Sequence, residues 1–471
     1  MSNLDLENYS IPKFPEVYVD VTYTSENDEV VSEHFQNDLP FPLAASEVRC
    51  IPFKSVELLS VKADVKDVIE VNLDLKDENF NFAPGDTVGI IPKNNSKEVE
   101  EILCHLGLRD KLDGKCVLSV VGSDESDSKK RKKIPPHLPR ISTLRELFEN
   151  CVEIRGPPKK VFLRALAEYA SDPPEKGKLL KLCSREGSAE YAKVFNASSG
   201  DSPGFGLLQF FKSFPSCTPP VSVLLQHLPR LRPRPYSIAS SPLEGNCLRI
   251  IFSVYKENSS KGVCTSWLES FLPPVDLDEQ LSSLSLNPSQ SEVPLFFRKS
   301  AGFCLPNDLS MPIILIGPGV GVAPYIGFLE HLSALRKVDK SGECGEVWLF
   351  YGCRHPDENG IYEKYLKNFS DKGVISRLFL SFSQYSGSFD NWNGSRYVQD
   401  SICSLGGTFV EQLVDKGATL YISGDGKNMF KDVRDKVAAL IETHKGVTAE
   451  EASTIIKNLI SKKMYLEDIW I

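Results

Sequence analysis

Residues 312–324 read Pro-Ile-Ile-Leu-Ile-Gly-Pro-Gly-Val-Gly-Val-Ala-Pro. Ile313 to Ile316 are apolar without interruption, the pattern of a strand buried on both faces. Gly317, Gly319 and Gly321 follow at once, and a helix is predicted from about residue 323. Strand, Gly-rich turn and helix N-terminus is the context in which backbone N–H groups hold a nucleotide phosphate. The spacing is not G-x-G-x-x-G, so the loop alone leaves a second reading open, a tight turn that uses glycine for positive φ.

Working outward, the pattern repeats toward the C-terminus. VWLFYG (347–352), RLFLSFS (377–383) and TLYISG (419–424) are buried-strand runs, and helices are predicted near 361–369, 397–404 and 428–443. Such alternation marks a parallel, doubly wound sheet. On the N-terminal side the period changes. VELLSV (56–61), VIEVNLDL (68–75) and TVGIIP (87–92) alternate as short strands, with the turn Pro84-Gly85-Asp86 between the last two. Amphipathic spacing begins at KEVEEILCHLGL (97–108), and 142–214 read as helices before strands resume with LRIIFSVY (248–255). The expected architecture is a β-barrel-like domain interrupted by a helical insertion at about 100–218, followed by a Rossmann-like domain. The expected boundaries are a poorly ordered lead-in at 1–47, the barrel with its insertion at 48–305, and the parallel-sheet domain at 306–471. No internal repeat is apparent. The Ser- and Pro-rich stretch 273–294 reads as a surface loop.

Composition narrows the function classes. The 471 residues carry a formal net charge of −9, which argues against general nucleic-acid binding. Twelve cysteines are scattered from Cys50 to Cys403 without a C-x-x-C pair, so no metal site is expected and the thiols read as reduced. The start, MSNLDLENYS, has no signal-peptide pattern, and no apolar run approaches the ~20 residues of a membrane helix. A cytoplasmic protein is expected. SDESDSKKRKK (123–133) ends in the basic run Lys129–Lys133, which reads as a solvated loop rather than an import or docking patch.

Two further motifs carry chemistry. Arg234-Pro235-Tyr236-Ser237 opens a strand, and its residue types suit a flavin: a guanidinium for a pyrophosphate, a phenol ring to stack, and a hydroxyl for a ring nitrogen. An ordinary strand start with an exposed Arg is the other reading. Gly262-Val263-Cys264-Thr265 precedes SWLESFL, where helix N–H groups can meet an anion; plain capping by Thr265 weighs equally there.

Taken in order, these elements resemble the ferredoxin–NADP reductase superfamily and, within it, the diflavin reductases. The likeness runs from about Cys50 to Ile471. It rests on PSCTPPVSVLLQHLPRLRPRPYSIASS (215–241), GVCTSWLESF (262–271), GPGVGVAPYIGFLEH (317–331), VWLFYGCRH (347–355), RYVQDSI (396–402), LYISGDGKNMFKDV (420–433) and YLEDIWI (465–471). The resemblance implies an antiparallel FAD-binding β-barrel with an inserted helical connecting domain, then a Rossmann-like NADP-binding domain ending in a flavin-stacking tail. It implies that Arg234, Tyr236 and Ser237 hold FAD, with Ser237 at the flavin N5, and that Gly262, Val263, Cys264 and Thr265 cradle its pyrophosphate. Gly317, Pro318, Gly319, Val320 and Gly321 would hold the NADPH phosphates. Arg354, Ser383, Arg396, Tyr397 and Gln399 would surround the adenosine 2′-phosphate, and Asp425 and Met429 would lie near the nicotinamide. The same resemblance makes Asp468 the carboxylate that works with Ser237 in hydride transfer, and Trp470 the indole that covers the flavin.

Three positions depart from the family. Val320 replaces a usual Thr, Gln384 a usual Arg, and Ser423 the Cys beside the nicotinamide. The loss of charge at Gln384 removes one 2′-phosphate contact, and Ser423 is expected to slow hydride transfer without abolishing it. Nothing in residues 1–50 offers the phosphate turn of a flavodoxin-like FMN domain, so FMN is not expected on this chain. The implied function is transfer of hydride from NADPH to FAD and of single electrons onward. The implied branch is the one that serves the cobalamin of methionine synthase, with that enzyme or a separate flavodoxin-like domain as partner. A weakly catalytic binding or chaperone module for a cobalamin enzyme, and a reductase for another acceptor, are the alternatives.

Overall fold

The computed structural model describes residues 9–24, 35–60, 66–76, 81–121, 132–195, 205–257, 260–273, 291–298, 302–338, 344–358, 360–390, 392–426 and 429–470. The chain divides into two compact units, one made of Met1–Pro42, Ile91–Arg234 and Tyr255–Trp267, the other of Leu43–Ile90, Pro235–Val254 and Leu268–Ile471.

In the first unit, α1 (Ser96–His105), α2 (Lys160–Ala167), α3 (Pro173–Cys183), α4 (Ser188–Phe195), α5 (Leu207–Ser213) and α6 (Val221–His227) share a core that includes Phe148, Leu163, Leu179, Phe210 and Leu224. Asn95 caps α1, and Asp172 followed by Pro173 starts α3, so local chemistry sets both helix starts. The insertion is not wholly helical. β5 (Lys115–Val120) pairs antiparallel with β6 (Ile141–Thr143) and with β1 (Val19–Tyr23), and the short β9 (Lys256–Glu257) and β10 (Ser260–Lys261) pair antiparallel with each other. Strand β1 lies within the expected lead-in, where Val19 and Val21 alternate with polar residues as a strand requires. The Gln226 side chain accepts from the N–H groups of Tyr18 (2.8 Å) and Val19 (3.2 Å), fixing the segment at its start. Of the basic run, Lys129 to Arg131 lie outside the described residues, as do 274–290 of the Ser/Pro-rich stretch.

The second unit holds two sheets. One has the order β7 (Arg234–Ser237), β4 (Thr87–Ile90), β11 (Glu292–Phe297), β2 (Arg49–Leu58), β3 (Val68–Asp74), β8 (Cys247–Ser253). The pairings from β4 to β8 are antiparallel. Ala239, just past β7, donates to the carbonyl of Arg249 in β8 at 2.7 Å, so the sheet nearly closes on itself. The other sheet is parallel throughout, in the order β14 (Arg377–Phe382), β13 (Val347–Cys353), β12 (Ile313–Ile316), β15 (Thr419–Asp425), β16 (Tyr465–Trp470). Leu315, Leu349 and Tyr421 pack on one face with Phe328 and Leu329 of α8 (Ala323–Val338). Ile314, Ile316 and Ile422 pack on the other with α9 (Val398–Leu405), α10 (Met429–Lys445) and α11 (Ala449–Ser461). Both faces are covered, which is why these strands read as unbroken apolar runs. The C-terminal stretch, expected as a tail, forms the edge strand β16.

Candidate functional site

In the parallel sheet the strand order reverses between β12 and β15, and ligands of such sheets bind beyond the strand C-termini at that point. The Gly-rich loop leaves β12 there. Gly317 N donates to Phe350 O of β13 (3.0 Å), Gly321 N to Pro318 O (3.0 Å), and a single 3-10 turn over Gly319–Val322 leads into α8. Gly321 is fixed by a close approach, since a Cβ would lie 2.4 Å from the carbonyl oxygen of Ser423 at the end of β15. Gly319 takes a φ of +57°, with open space where a side chain would stand.

Beside this loop, Ser423 and Asp468 are register partners on β15 and β16. Side chains of paired residues in a parallel ladder project from the same face. Asp468 reaches Ser237 at the end of β7, and the Ser237 hydroxyl donates to Asp468 Oδ2 at 2.6 Å. The length is that of a charge-assisted hydrogen bond, and Ser237 is only 7% exposed. Residues far apart in sequence thus meet through the barrel strand β7 and the edge strand β16. Ser423 is fully buried, and its Oγ has no hydrogen-bond partner among the described residues. An orphaned buried hydroxyl costs about 1–3 kcal/mol, so its place here fits a polar group that arrives with a ligand. The Tyr325 phenol, on the first turn of α8, donates to Ile316 O at 3.0 Å. Burial raises its pKa well above the usual value and the nearby Asp468 carboxylate adds to this, so it stays neutral. Tyr236 is half-buried, with its ring centroid 5.4 Å from that of Phe252.

Further along the same sheet edge, Arg354 follows β13 and Ser383 follows β14. Ser383 N donates to Cys353 O (3.0 Å) and Gln384 N to Arg354 O (2.9 Å), which extends the ladder past the strand ends. Arg396 is exposed and its guanidinium donates to Ser383 O at 3.1 Å. The Asp400 carboxylate accepts from the N–H groups of Arg396 (3.2 Å) and Tyr397 (2.9 Å), so the start of α9 holds these residues with Gln399 on its first turn. Arg354, Ser383, Arg396 and Tyr397 are therefore gathered beyond the C-terminal ends of β13 and β14, and among the described residues no carboxylate forms an ion pair with the Arg354 or Arg396 guanidinium.

In the first unit, Gly262–Thr265 lead into α7 (Val263–Glu269). Thr265 is not the N-cap; it lies inside the first turn, where its Oγ accepts from Tyr255 N at 3.3 Å. Arg234 pairs with Glu153 (3.1 Å) and donates to Arg232 O (2.5 Å). Among the described residues two of its five N–H donors are thus engaged.

Comparison with known proteins decides the family. The profile of the FAD binding domain matches residues 42–267, and that of the oxidoreductase NAD-binding domain matches 315–435. Methionine synthase reductase of Homo sapiens is 37% identical over 91% of the chain and 62% of the relative. That of Bos taurus is 34% identical over 99% of the chain and 67% of the relative. The chain belongs to the methionine synthase reductase family. It is also similar to NADPH–cytochrome P450 reductase of Sus scrofa, at 31% identity over 99% of the chain and 64% of that protein. Its matches to an FAD binding domain and an oxidoreductase NAD-binding domain place it in the ferredoxin–NADP reductase superfamily. The chain spans 62% and 65% of the length of the first two methionine synthase reductases it matches.

The three positions expected to depart from the family pattern have distinct settings. Val320 is half-buried and packs on the cluster that holds Leu315 and Tyr325, an apolar contact where the resemblance led us to expect a hydroxyl. Gln384 is exposed. Ser423 is the orphaned hydroxyl already described. The backbones of Asp425 and Trp470 pair in register at the ends of β15 and β16, while their side chains lie outside the described residues. Met429 opens α10, with its methyl 2.7 Å from where a Cβ on Gly424 would stand. Tyr325 was assigned no role from sequence; an aromatic four residues past Gly321, on the first helical turn, was the available signal. Among the described residues no helix can cross a membrane, and no cluster of three His, Cys, Asp or Glu side chains is placed to hold a metal.

Proposed function

We propose that this chain transfers hydride from NADPH to FAD and passes electrons singly toward reductive reactivation of cob(II)alamin in methionine synthase. The observation that carries the reading is the Ser237–Asp468 hydrogen bond, set beside Ser423 and the Gly317–Gly321 loop at the reversal of strand order. Bound FAD supplies a hydride acceptor that can then release its electrons one at a time.

The chain's residues do the rest. Asp468 fixes the Ser237 hydroxyl, which would stand at the flavin N5 when FAD is bound. Ser423 supplies a buried hydroxyl to the nicotinamide end, and the neutral Tyr325 keeps that pocket free of a second charge. Gly317 to Gly321 hold the NADPH phosphates, and Arg354 and Arg396 meet the 2′-phosphate with Ser383, Tyr397 and Gln399. Asp425, Met429 and Trp470 complete the nicotinamide and flavin contacts. In the first unit, Arg234 and the N–H groups of Gly262–Thr265 would meet a pyrophosphate. In the second unit, Tyr236 would stack on a flavin ring. The partner is methionine synthase, reached through a flavodoxin-like FMN domain, in the cytoplasm.

The test is stepwise. Purified protein should carry flavin absorbance that NADPH bleaches anaerobically; no bleaching sinks the whole reading. Bleaching without reoxidation by a flavodoxin-like FMN domain, or without reactivation of methionine synthase, sinks the acceptor assignment alone. The likeness to a cytochrome P450 reductase motivates a cytochrome as the competing acceptor in that assay.

A further inference from the structure

A chain of charges anchored on the buried Glu70 runs through the second unit, outside the residues placed at the cofactors. Glu70 on β3 is 2% exposed. It accepts from Tyr365 Oη, from Asn72 Nδ2 at 2.8 Å and from Lys364 Nζ at 3.1 Å, and its carboxylate lies 3.7 Å from Arg249. Arg249 on β8 continues the chain to Glu330 of α8 at 2.5 Å, and also donates to Asn72 Oδ1 (3.2 Å) and Ala239 O (3.2 Å). Glu330 accepts in turn from Ser241 N at 3.0 Å, and the Ser241 hydroxyl meets His331 Nδ1 at 3.0 Å. Gly327 brings α8 so close that a Cβ there would lie 3.0 Å from Ser240 O. Among the described residues, the side-chain hydrogen bonds of Arg249 and Glu330 to main chain thus fall on Ala239 and Ser241, within four residues of Ser237.

The two ends of this clamp matter. Helix α8 starts at the Gly317–Gly321 loop, and residues 239–241 continue the strand that ends in Ser237. We infer that the Arg249–Glu330 pair, anchored by Glu70, is a positioning device that sets Ser237 relative to the nicotinamide loop and so governs the rate of hydride transfer. This rests on the function proposed above. Burial pushes the Glu70 carboxyl up, but Tyr365, Asn72, Arg249 and Lys364 together outweigh it and hold the pKa below the usual value, so the anchor is charged at neutral pH. A buried ion pair is a weak source of stability compared with apolar packing of equal volume. What this one supplies that packing cannot is two directed hydrogen bonds, to Ala239 O and from Ser241 N.

The experiment compares the full chain with Glu330→Gln and with the double variant Arg249→Met/Glu330→Leu, in which the charge pair becomes two apolar side chains. Lys337→Ala serves as the control, since Lys337 joins α8 to Glu244 only through an exposed pair at 2.8 Å. FAD content, melting temperature, KM for NADPH, the rapid-mixing rate of flavin bleaching and its isotope effect with 4-deuterated NADPH are read for each. Both variants are expected to bleach about tenfold more slowly, the scale of sub-ångström misplacement in a site, with KM unchanged and a larger isotope effect. The double variant should recover the melting temperature and not the rate, and Lys337→Ala should match the parent. A double variant with the parent's rate, or a Glu330→Gln protein that loses only melting temperature, overturns the inference. A parent protein that NADPH does not bleach overturns the function beneath it as well, so the two failures are told apart.

Discussion

Cutting the Ser237–Asp468 hydrogen bond from each side tests the proposed centre most directly. The bond is 2.6 Å long, joins a neutral donor to a carboxylate, and involves a Ser that is 7% exposed. Hydrogen bonds to charged groups contribute about 1.5–3 kcal/mol, and each 1.36 kcal/mol on a barrier is tenfold in rate, so losing the bond in the transition state costs about 10- to 150-fold. Ser237→Ala and Asp468→Ala should each fall in that range. If Asp468 acts by orienting the Ser237 hydroxyl, the double variant should be no slower than the worse single variant, because the second substitution removes nothing still working. Asp468→Asn keeps an acceptor without the charge and should lie between the parent and Asp468→Ala. The assay is anaerobic rapid mixing of FAD-loaded protein with saturating NADPH, with FAD content and KM measured beside it. Rate losses that multiply in the double variant would show two independent contributions, and the orienting role would be refuted.

Other outcomes follow from the same geometry. Ser423→Ala removes an orphaned buried hydroxyl and should raise stability in the apoprotein by about 1 kcal/mol while slowing flavin bleaching; a faster or unchanged rate would mean the hydroxyl is idle. Arg396→Ala should raise KM for NADPH about 10- to 100-fold, the worth of one charge-assisted contact, and leave KM for NADH unchanged, because only NADPH carries the 2′-phosphate. His137 in the first unit is 7% exposed with no partner on Nε2, and burial, aided by the Arg230 charge, lowers its pKa from 6.5 to about 4. The unfolded chain then binds the extra proton between pH 6.5 and 4, so stability falls as pH drops through that window, by about 3 kcal/mol once both states are protonated. His137→Gln should flatten the acid limb of the melting temperature against pH; an unchanged limb would exonerate this histidine.

The parallel sheet was legible because both of its faces are covered, so Ile313–Ile316 and its neighbours carry an unbroken apolar signal and the glycines mark where a strand hands over to a helix. Helices α10 and α9 lay close to their expected spans for the same reason. Strand β1 was missed although VDVTY alternates: five residues between polar stretches are a weak local pattern, and its partner β5 lies almost a hundred residues away. Helix α11 announces itself by the capping box of Thr448 and Glu451, a signal that was present and not used. Strand β16 could not be read as such, since YLEDIW has neither the apolar run of a central strand nor clean alternation, and its place is set by pairing with β15 across two intervening helices.

The site shows the same division between local and non-local information. Individual motifs, Arg234–Ser237 and Gly317–Gly321, were readable because each packs its chemistry into a few residues. Their relation was not, because it depends on register. Asp468 reaches Ser237 only if β16 pairs with β15 so that Ser423 and Asp468 stand side by side; a slip of one residue turns Asp468 to the other face of the sheet. The buried clamp is further still from local reading. In VIEVNLDL, Glu70 and Asn72 fall on one face of β3, and alternation alone assigns such a face to water. Here that face meets Lys364, Tyr365 and, through Arg249, the helix that begins at the Gly-rich loop. The carboxylate and amide that the strand pattern would place in solvent are instead buried with partners, which costs desolvation unless geometry repays it. That cost argues for a role beyond holding the unit together, and the segment they grip, beginning two residues past Ser237, says where the role is exercised.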